Sequence, residues 1–209
     1  MTDVVIYGFA PSTYTRTARM VCEEKGVPHR LEEIEIGSAR NLSMHPFGKI
    51  PILEHDGTRI FETLAIARYI DETFKGPALQ PADAKGRALM TSWISAVLDY
   101  AYPTLVRGLI LLRLVFPRRG VPVDEAAVKA NLPKVENVLQ VLDGALTTNR
   151  YFAGDRVSLA DLFVLPILPY LGMIDESRAM LAKCERLSNW QASMLTRHSV
   201  PATEPRLAA

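Results

Sequence analysis

The sequence predicts a small α/β domain of element order β-α-β then β-β-α, followed by an all-helical half. Three observations predict it. Short apolar runs alternate with helical patterns as far as Gly76-Pro77, which suits a sheet with helices packed on it. Asp56-Gly57 stands between two apolar runs, a strong short-range hairpin signal. Beyond Pro81 the strand signals cease and apolar residues recur only at helical spacing.

The elements follow in order. Val4-Val5-Ile6-Tyr7 is a compact apolar run ending at Gly8 and reads as a buried strand. From Ser12 the period changes: Ala18, Val21 and Cys22 share a helical face, with Arg16, Arg19, Glu23 and Glu24 on the others. Lys25-Gly26 ends that helix ahead of Val27-Pro28. Leu31 to Ile36 returns to alternation, with Ile34 and Ile36 on one face, and a polar loop follows. Ile50-Pro51-Ile52-Leu53 and Arg59-Ile60-Phe61 form the two arms of the hairpin, and the next helix carries Ile66, Tyr69, Ile70 and Phe74 on one face.

In the second half Leu89, Trp93, Ala96, Val97 and Tyr100 keep a helical period, Pro103 is expected to kink or end it, and Leu109, Leu112 and Phe116 resume it up to Pro117. A loop over 118–123 leads to a further helix bearing Val135, Val138, Leu139 and Leu142, with Pro133 expected as a break or a start. Ser158-Leu159-Ala160-Asp161 has the form of a capping box, with Asp in the usual Glu or Gln place. The expected domains are 1–77 and 83–209, joined by a linker over 78–82.

Composition narrows the partners. The 209 residues carry 24 basic and 23 acidic side chains, a formal charge of +1, which lacks the basic excess of a nucleic-acid or anionic-membrane binder. With 48% hydrophobic residues the chain can fill a core. The two cysteines, Cys22 and Cys184, belong to no C-x-x-C or Cys/His cluster, and the four histidines have no metal spacing and read as loop or surface residues. Neither a disulfide framework nor a metal is expected. A reducing compartment, hence the cytoplasm, is the expected location, and the N-terminal residues do not read as a secretory signal. Leu105 to Phe116, the most apolar stretch, includes Arg107 and Arg113 and is shorter than the roughly 20 residues of a membrane span, so it is expected as a packed helix of a soluble protein.

Three segments hold residues suited to chemistry. Ser12, in Ala10-Pro11-Ser12-Thr13-Tyr14-Thr15-Arg16, stands where a helix begins; its hydroxyl can cap the helix or, beside orphan N–H groups, favour an anion. It has no G-x-S-x-G elbow and no His/Asp partner pattern, which argues against a hydrolase nucleophile. In Lys49-Ile50-Pro51-Ile52 the proline either simply opens a strand or leaves the backbone of Ile50 available to a ligand, more so if the Ile50-Pro51 bond is cis. Glu62-Thr63, between a strand and a helix, can cap that helix or bind an ammonium and a carboxylate. Tyr7 and Tyr14 are competing hydroxyls, Tyr7 reading as a buried strand residue, and Cys22 lies on an apolar face and reads as core.

Taken together these segments resemble the glutathione S-transferase superfamily over nearly the whole chain. The resemblance rests on Pro-Ser-Thr-Tyr-Thr-Arg at 11–16, His-Pro-Phe-Gly-Lys-Ile-Pro at 45–51, Phe-Glu-Thr-Leu-Ala-Ile-Ala-Arg-Tyr-Ile at 61–70 and Ala-Gly-Asp-Arg-Val-Ser-Leu-Ala-Asp-Leu at 153–162. It is closest to serine-type, phi-like enzymes, and a bacterial-type member is expected. The resemblance implies a thioredoxin-like first domain and a homodimeric detoxification enzyme, a transferase that activates the thiol of glutathione, its co-substrate, toward small hydrophobic electrophiles. By position it implies Ser12 at the thiolate, the Ile50 backbone before cis Pro51 at the cysteinyl part, Lys49 at the glycyl side, and Glu62 with Thr63 at the γ-glutamyl group. Segment 37–44 is shorter than in plant phi enzymes and lacks their His-Lys pair, with Arg40 as a substitute for the glycyl contact. Phe9, Tyr14, Tyr100 and Tyr102 are expected to line the electrophile pocket, and Phe47 to make a dimer contact. The same scaffold also suits a glutathione-dependent peroxidase, disulfide reductase, dehalogenase or isomerase, or a non-catalytic binding protein.

Overall fold

The computed structural model describes residues 3–205, so residues 1, 2 and 206–209 of the expected domains lie outside the described residues. By packing the chain divides into two units, Met1–Gln80 with Thr196–Ala209, and Pro81–Leu195.

The first unit is built on a four-stranded sheet of order β2-β1-β3-β4. Strand β1 (Val4–Gly8) is buried throughout because it runs between β2 (His29–Glu33), to which it is parallel, and β3 (Ile52–His55), to which it is antiparallel. Its β-branched and aromatic side chains suit that doubly covered position. Strand β4 (Thr58–Phe61) pairs antiparallel with β3 through the two-residue turn Asp56-Gly57. Both turn residues have positive φ, 51° and 72°, the backbone that a tight hairpin demands and that Asp-Gly supplies. β2 ends at Glu33, opposite Gly8, three residues short of the alternation in the sequence. As an edge strand it has only β1 to pair with, so Ile34 turns into the core and Ile36 is exposed instead of sharing its face.

Helix α1 (Thr13–Lys25) starts at Ser12, whose side chain accepts the Thr15 N–H, and stops at left-handed Gly26. Two of the charges expected on its polar faces, Arg16 and Glu24, are buried. The end of the described chain packs on them, which is why residues from Thr196 group with the sheet and not with the helical half. Arg16 donates to the Val200 carbonyl (3.2 Å) and Thr203 Oγ1 (3.4 Å), and Glu24 accepts from Arg197 Nε (2.8 Å) and Ser199 Oγ (2.5 Å). Burial alone would raise the Glu24 carboxyl, but these donors hold it below the ordinary range. Helix α2 (Ala39–Met44), which was expected as loop, is capped by Ser38; six residues are too few to show a helical period in the sequence. Helix α3 (Thr63–Thr73) buries Ile66, Ala67 and Ile70. The connection after it is held by a buried ion pair, Lys25 to Asp71 at 3.0 Å, with Asp71 also accepting from the Leu79 N–H at 2.9 Å.

The second unit is helical. Helix α4 (Ala84–Ala96) passes without interruption into a wider, π-wound segment, Val97–Val115, which contains Pro103. Proline neither ends nor breaks this helix, because the wider winding relieves the clash of its ring with the preceding turn. Pro133 likewise lies inside α5 (Glu125–Ala145). The joined helix Ala84–Val115 is, by length and composition alone, sufficient to cross a membrane, unlike the shorter apolar run read from the sequence. Its Leu105, Leu109 and Ile110 are nevertheless buried within this unit, as are Val135 and Leu139 of α5.

Helices α6 (Leu159–Val164), α7 (Leu168–Gly172), α8 (Asp175–Leu181) and α9 (Glu185–Leu195) complete the unit. The capping box closes as the sequence predicts. Asp161, fully buried, accepts from the Ser158 N–H (2.9 Å), Ser158 Oγ (2.9 Å), the Phe152 N–H (3.2 Å) and Trp190 Nε1 (3.0 Å). Burial pushes its carboxyl upward despite these donors. Loss of such an acceptor strands several buried donors, each costing about 1–3 kcal/mol, so this carboxylate organises the helical core.

Candidate functional site

One feature of the sheet brings the sequence-selected residues to one edge. Tyr7, Ile52 and Phe61 lie in a single cross-strand row. Because β4 runs parallel to β1, the chain leaves both strands at that edge, at Gly8 and Phe61, and enters β3 there from Pro51. Ser12, Ile50-Pro51 and Glu62-Thr63 are therefore neighbours of one row although they are 51 positions apart in sequence from first to last.

Each has a defined local setting. Ser12 is half-buried; its N–H donates to the Phe9 carbonyl (3.1 Å), and its Oγ accepts from Thr15 N–H at 3.3 Å, a long bond. Gly8 leaves room for Thr15: a Cβ there would stand 2.4 Å from Thr15 Oγ1. The Ile50-Pro51 peptide is cis, and Ile50 lies outside the registered ladder, which begins at Ile52. The loop before it is pinned by buried Asn41, whose Nδ2 donates to the Lys49 carbonyl (3.0 Å) and whose Oδ1 accepts from the Gly37 N–H (2.9 Å). Asn41 was not singled out in the sequence; the Ser38-x-x-Asn41 spacing of a capped turn was its signal. The Lys49 side chain is exposed.

Glu62 departs from the capping expectation. It sits at the N-cap of α3 but makes no side-chain cap bond, and its backbone lies at φ 68°. A non-glycine residue held in that region costs on the order of 1–3 kcal/mol. The strain aims the carboxylate out from the sheet edge, where it is 66% exposed, while Thr63 behind it is buried.

Around this row the remaining candidates separate. Arg40 is exposed and pairs with Glu32 at 2.5 Å, its guanidinium 5.3 Å from the Tyr7 ring. Tyr7 itself is buried, as its strand position requires. Phe9 and Tyr14 are half-buried on either side of Ser12 in sequence. In the helical unit Tyr100, 70% exposed, lines an apolar cavity of about 580 Å³ with Trp93, Pro103 and Val141. Tyr102 is not among that cavity's lining; it is half-buried under Arg107, whose guanidinium lies 5.6 Å from its ring. Cys22 is core, and burial pushes its thiol up to about 12, which removes it as a thiolate near neutral pH.

Of the four histidines expected in loops or at the surface, His45 stands in a loop and His198 is exposed, while His55 lies in β3. His45 and His55 are buried, because each ring stacks against aromatic neighbours, His45 on Phe61 at 4.9 Å and His55 on Phe74 at 5.0 Å. His55 Nδ1 also bonds the Tyr69 hydroxyl at 2.8 Å. Among the described residues no group of three or more His, Cys, Asp or Glu side chains is placed to hold a metal ion.

Comparison with known proteins gives the chain a family. The glutathione S-transferase N-terminal domain matches residues 6–78, and the glutathione S-transferase C-terminal domain matches 96–198. The chain is 36% identical over 165 residues to glutathione S-transferase F10 of Arabidopsis thaliana, covering 75% of this chain and 76% of that protein. It superposes on glutathione S-transferase III in its apo form with a TM-score of 0.89 at 27% identity, covering 99% of each chain. It also superposes on glutathione S-transferase I from maize in complex with an atrazine glutathione conjugate, with a TM-score of 0.86 at 26% identity and coverage of 96% and 95%. The chain belongs to the glutathione S-transferase family. Its similarity is to plant phi-class members, and nothing in these matches supports a bacterial-type affiliation.

The strain at Glu62 has a measurable consequence. Glu62→Gly relieves the left-handed backbone, offset in part by the greater freedom of glycine in the unfolded chain. It is expected to leave the thermal midpoint unchanged or to raise stability by up to about 1 kcal/mol. A midpoint several degrees lower would show that the Glu62 side chain supports the fold itself.

Proposed function

We propose that this glutathione transferase binds the tripeptide along the Tyr7-Ile52-Phe61 edge and activates its thiol at Ser12 for attack on small hydrophobic electrophiles. The observation that carries the reading is the convergence of three ligand-suited segments on one row, together with backbone strain at Glu62, whose side chain makes no cap bond to α3. In this reading the Ile50 backbone before Pro51 pairs with the cysteinyl unit. Glu62 takes the γ-glutamyl ammonium, while the first turn of α3 with Thr63 takes its carboxylate, as a helix N-terminus does. Lys49 serves the glycyl end. Arg40 is already paired with Glu32, so any contact it makes there is shared. Phe9 and Tyr14 supply aromatic surface beside the sulfur.

Magnitudes agree with a single hydroxyl as activator. A thiol of pKa about 8.5 is only about 3% ionised at pH 7. Lowering it by two units takes about 2.7 kcal/mol of preferential stabilisation of the thiolate. A hydrogen bond to a charged group contributes about 1.5–3 kcal/mol and a helix N-terminus about 0.3–1 kcal/mol. Ser12 at the start of α1 can supply both. The thiolate then adds to an electrophilic carbon, forming the thioether, and the leaving group departs with the bonding pair.

We further propose a cytoplasmic homodimer in which Phe47 of one copy enters the apolar cavity of the helical unit of another. Phe47 is 72% exposed at the tip of its loop, an unusual position for so large an apolar group, and the cavity offers Trp93, Val97, Tyr100 and Val138.

Two measurements test these readings. Ser12→Ala should move the absorbance titration of bound glutathione thiolate up by about 1–2 pH units and lower kcat/KM about 10- to 100-fold; an unchanged titration removes Ser12 from the mechanism. Phe47→Asp should turn the dimer into monomer in sedimentation velocity, and a dimer of unaltered stability would remove Phe47 from the interface.

A further inference from the structure

His45 is the buried titratable group next to this site that the mechanism leaves unused. It is 2% exposed and stacks on Phe61. Its Nδ1 accepts the Phe47 N–H at 3.1 Å. An imidazole nitrogen that accepts carries no proton, so the neutral ring holds its proton on Nε2. That atom lies 3.9 Å from Glu62 Oε1, a distance that a small rotation of the exposed Glu62 side chain closes. The ring therefore joins the loop before Pro51 to the strained carboxylate after β4.

We infer that His45 is a positioning residue for Glu62: Nε2–H orients the carboxylate toward the ligand's ammonium while Nδ1 anchors the Phe47 backbone, which makes glutathione binding proton-sensitive. The inference rests on the proposed role of Glu62. Its electrostatics are simple. Burial holds the His45 ring below its ordinary value of 6.5, Glu62 opposes this and Lys49 acts with it, and among the described residues these are the two charged groups that act on the ring. Above its pKa the neutral ring makes both contacts. Below it the added proton sits on Nδ1, so the Phe47 N–H loses its acceptor. The imidazolium then competes with the ligand's ammonium for Glu62. Binding should weaken as pH falls below 6.5, and chemistry on bound glutathione should not follow the same group.

Asn and Gln substitutions separate the two contacts. His45→Asn keeps an acceptor where Nδ1 stands and removes the donor to Glu62; His45→Gln extends an N–H toward Glu62. By calorimetric titration with glutathione, the wild type should bind about 3- to 10-fold more weakly at pH 5.5 than at 7.5. His45→Asn should be weakened about 3- to 10-fold at pH 7.5 and lose the pH dependence, and His45→Gln should recover most of the affinity without regaining that dependence. In the ligand-free protein, Glu62→Gln should lower the NMR titration midpoint of His45 by about half a pH unit, a readout independent of glutathione. If Glu62→Gln weakens binding but His45→Asn matches the wild type at both pH values, the positioning role is overturned alone. A His45 midpoint unmoved by Glu62→Gln overturns the coupling. Glu62→Gln binding as tightly as the wild type overturns the γ-glutamyl assignment and this inference with it.

Discussion

The register of β3 between β1 and β4 is the constraint on which the site depends. Ile52 opposite both Tyr7 and Phe61 fixes where the chain leaves the sheet after β1, enters it before β3 and leaves it after β4. A slip of one residue would turn every side chain of the hairpin to the opposite face and carry Glu62 and Pro51 away from Ser12. The Asp56-Gly57 turn sets this register locally, and buried Ile52 and Leu53 make a slip costly.

Two polar devices hold the surrounding loops to that frame. Asn41 ties the backbones of Gly37 and Lys49 together, and the Lys25–Asp71 pair holds the connection after α3. At the start of α1, Ser12 caps through only one long bond, so its hydroxyl can turn to a thiolate at modest cost. The Glu62 side chain makes no cap bond to α3, and its backbone sits in an unfavourable region. In the proposed reading the protein gives up local stability where the ligand is held, as strained functional residues commonly do.

Much of this was legible in the sequence because the signals were local. Asp56-Gly57 named its hairpin, Gly26 its helix end, and Ser158 with Asp161 its capping box. The failures share a different cause. The intrinsic preference of proline makes Pro103 a kink or an end and Pro133 a break or a start, yet the wider winding carries one helix through Pro103 and α5 runs on through Pro133. Arg16 and Glu24 were placed on polar faces because their partners, Val200, Thr203, Arg197 and Ser199, lie more than 170 positions away. Burial of His45 and His55 by aromatic rings leaves no periodic trace, so the sequence offers only a loop or surface reading of them. The candidate residues stand in local motifs, whereas their convergence on one row shows only in the sheet order.

The central claim is that one edge of the sheet acts as a single ligand surface. Amide chemical shifts followed during a glutathione titration test it most directly. The account predicts saturable changes at a common Kd for Ser12, Ile50, Glu62 and Thr63, with those lining the cavity near Tyr100 and Val141 little affected. Changes confined to the helical unit, or different dissociation constants at Ser12 and Glu62, would contradict it.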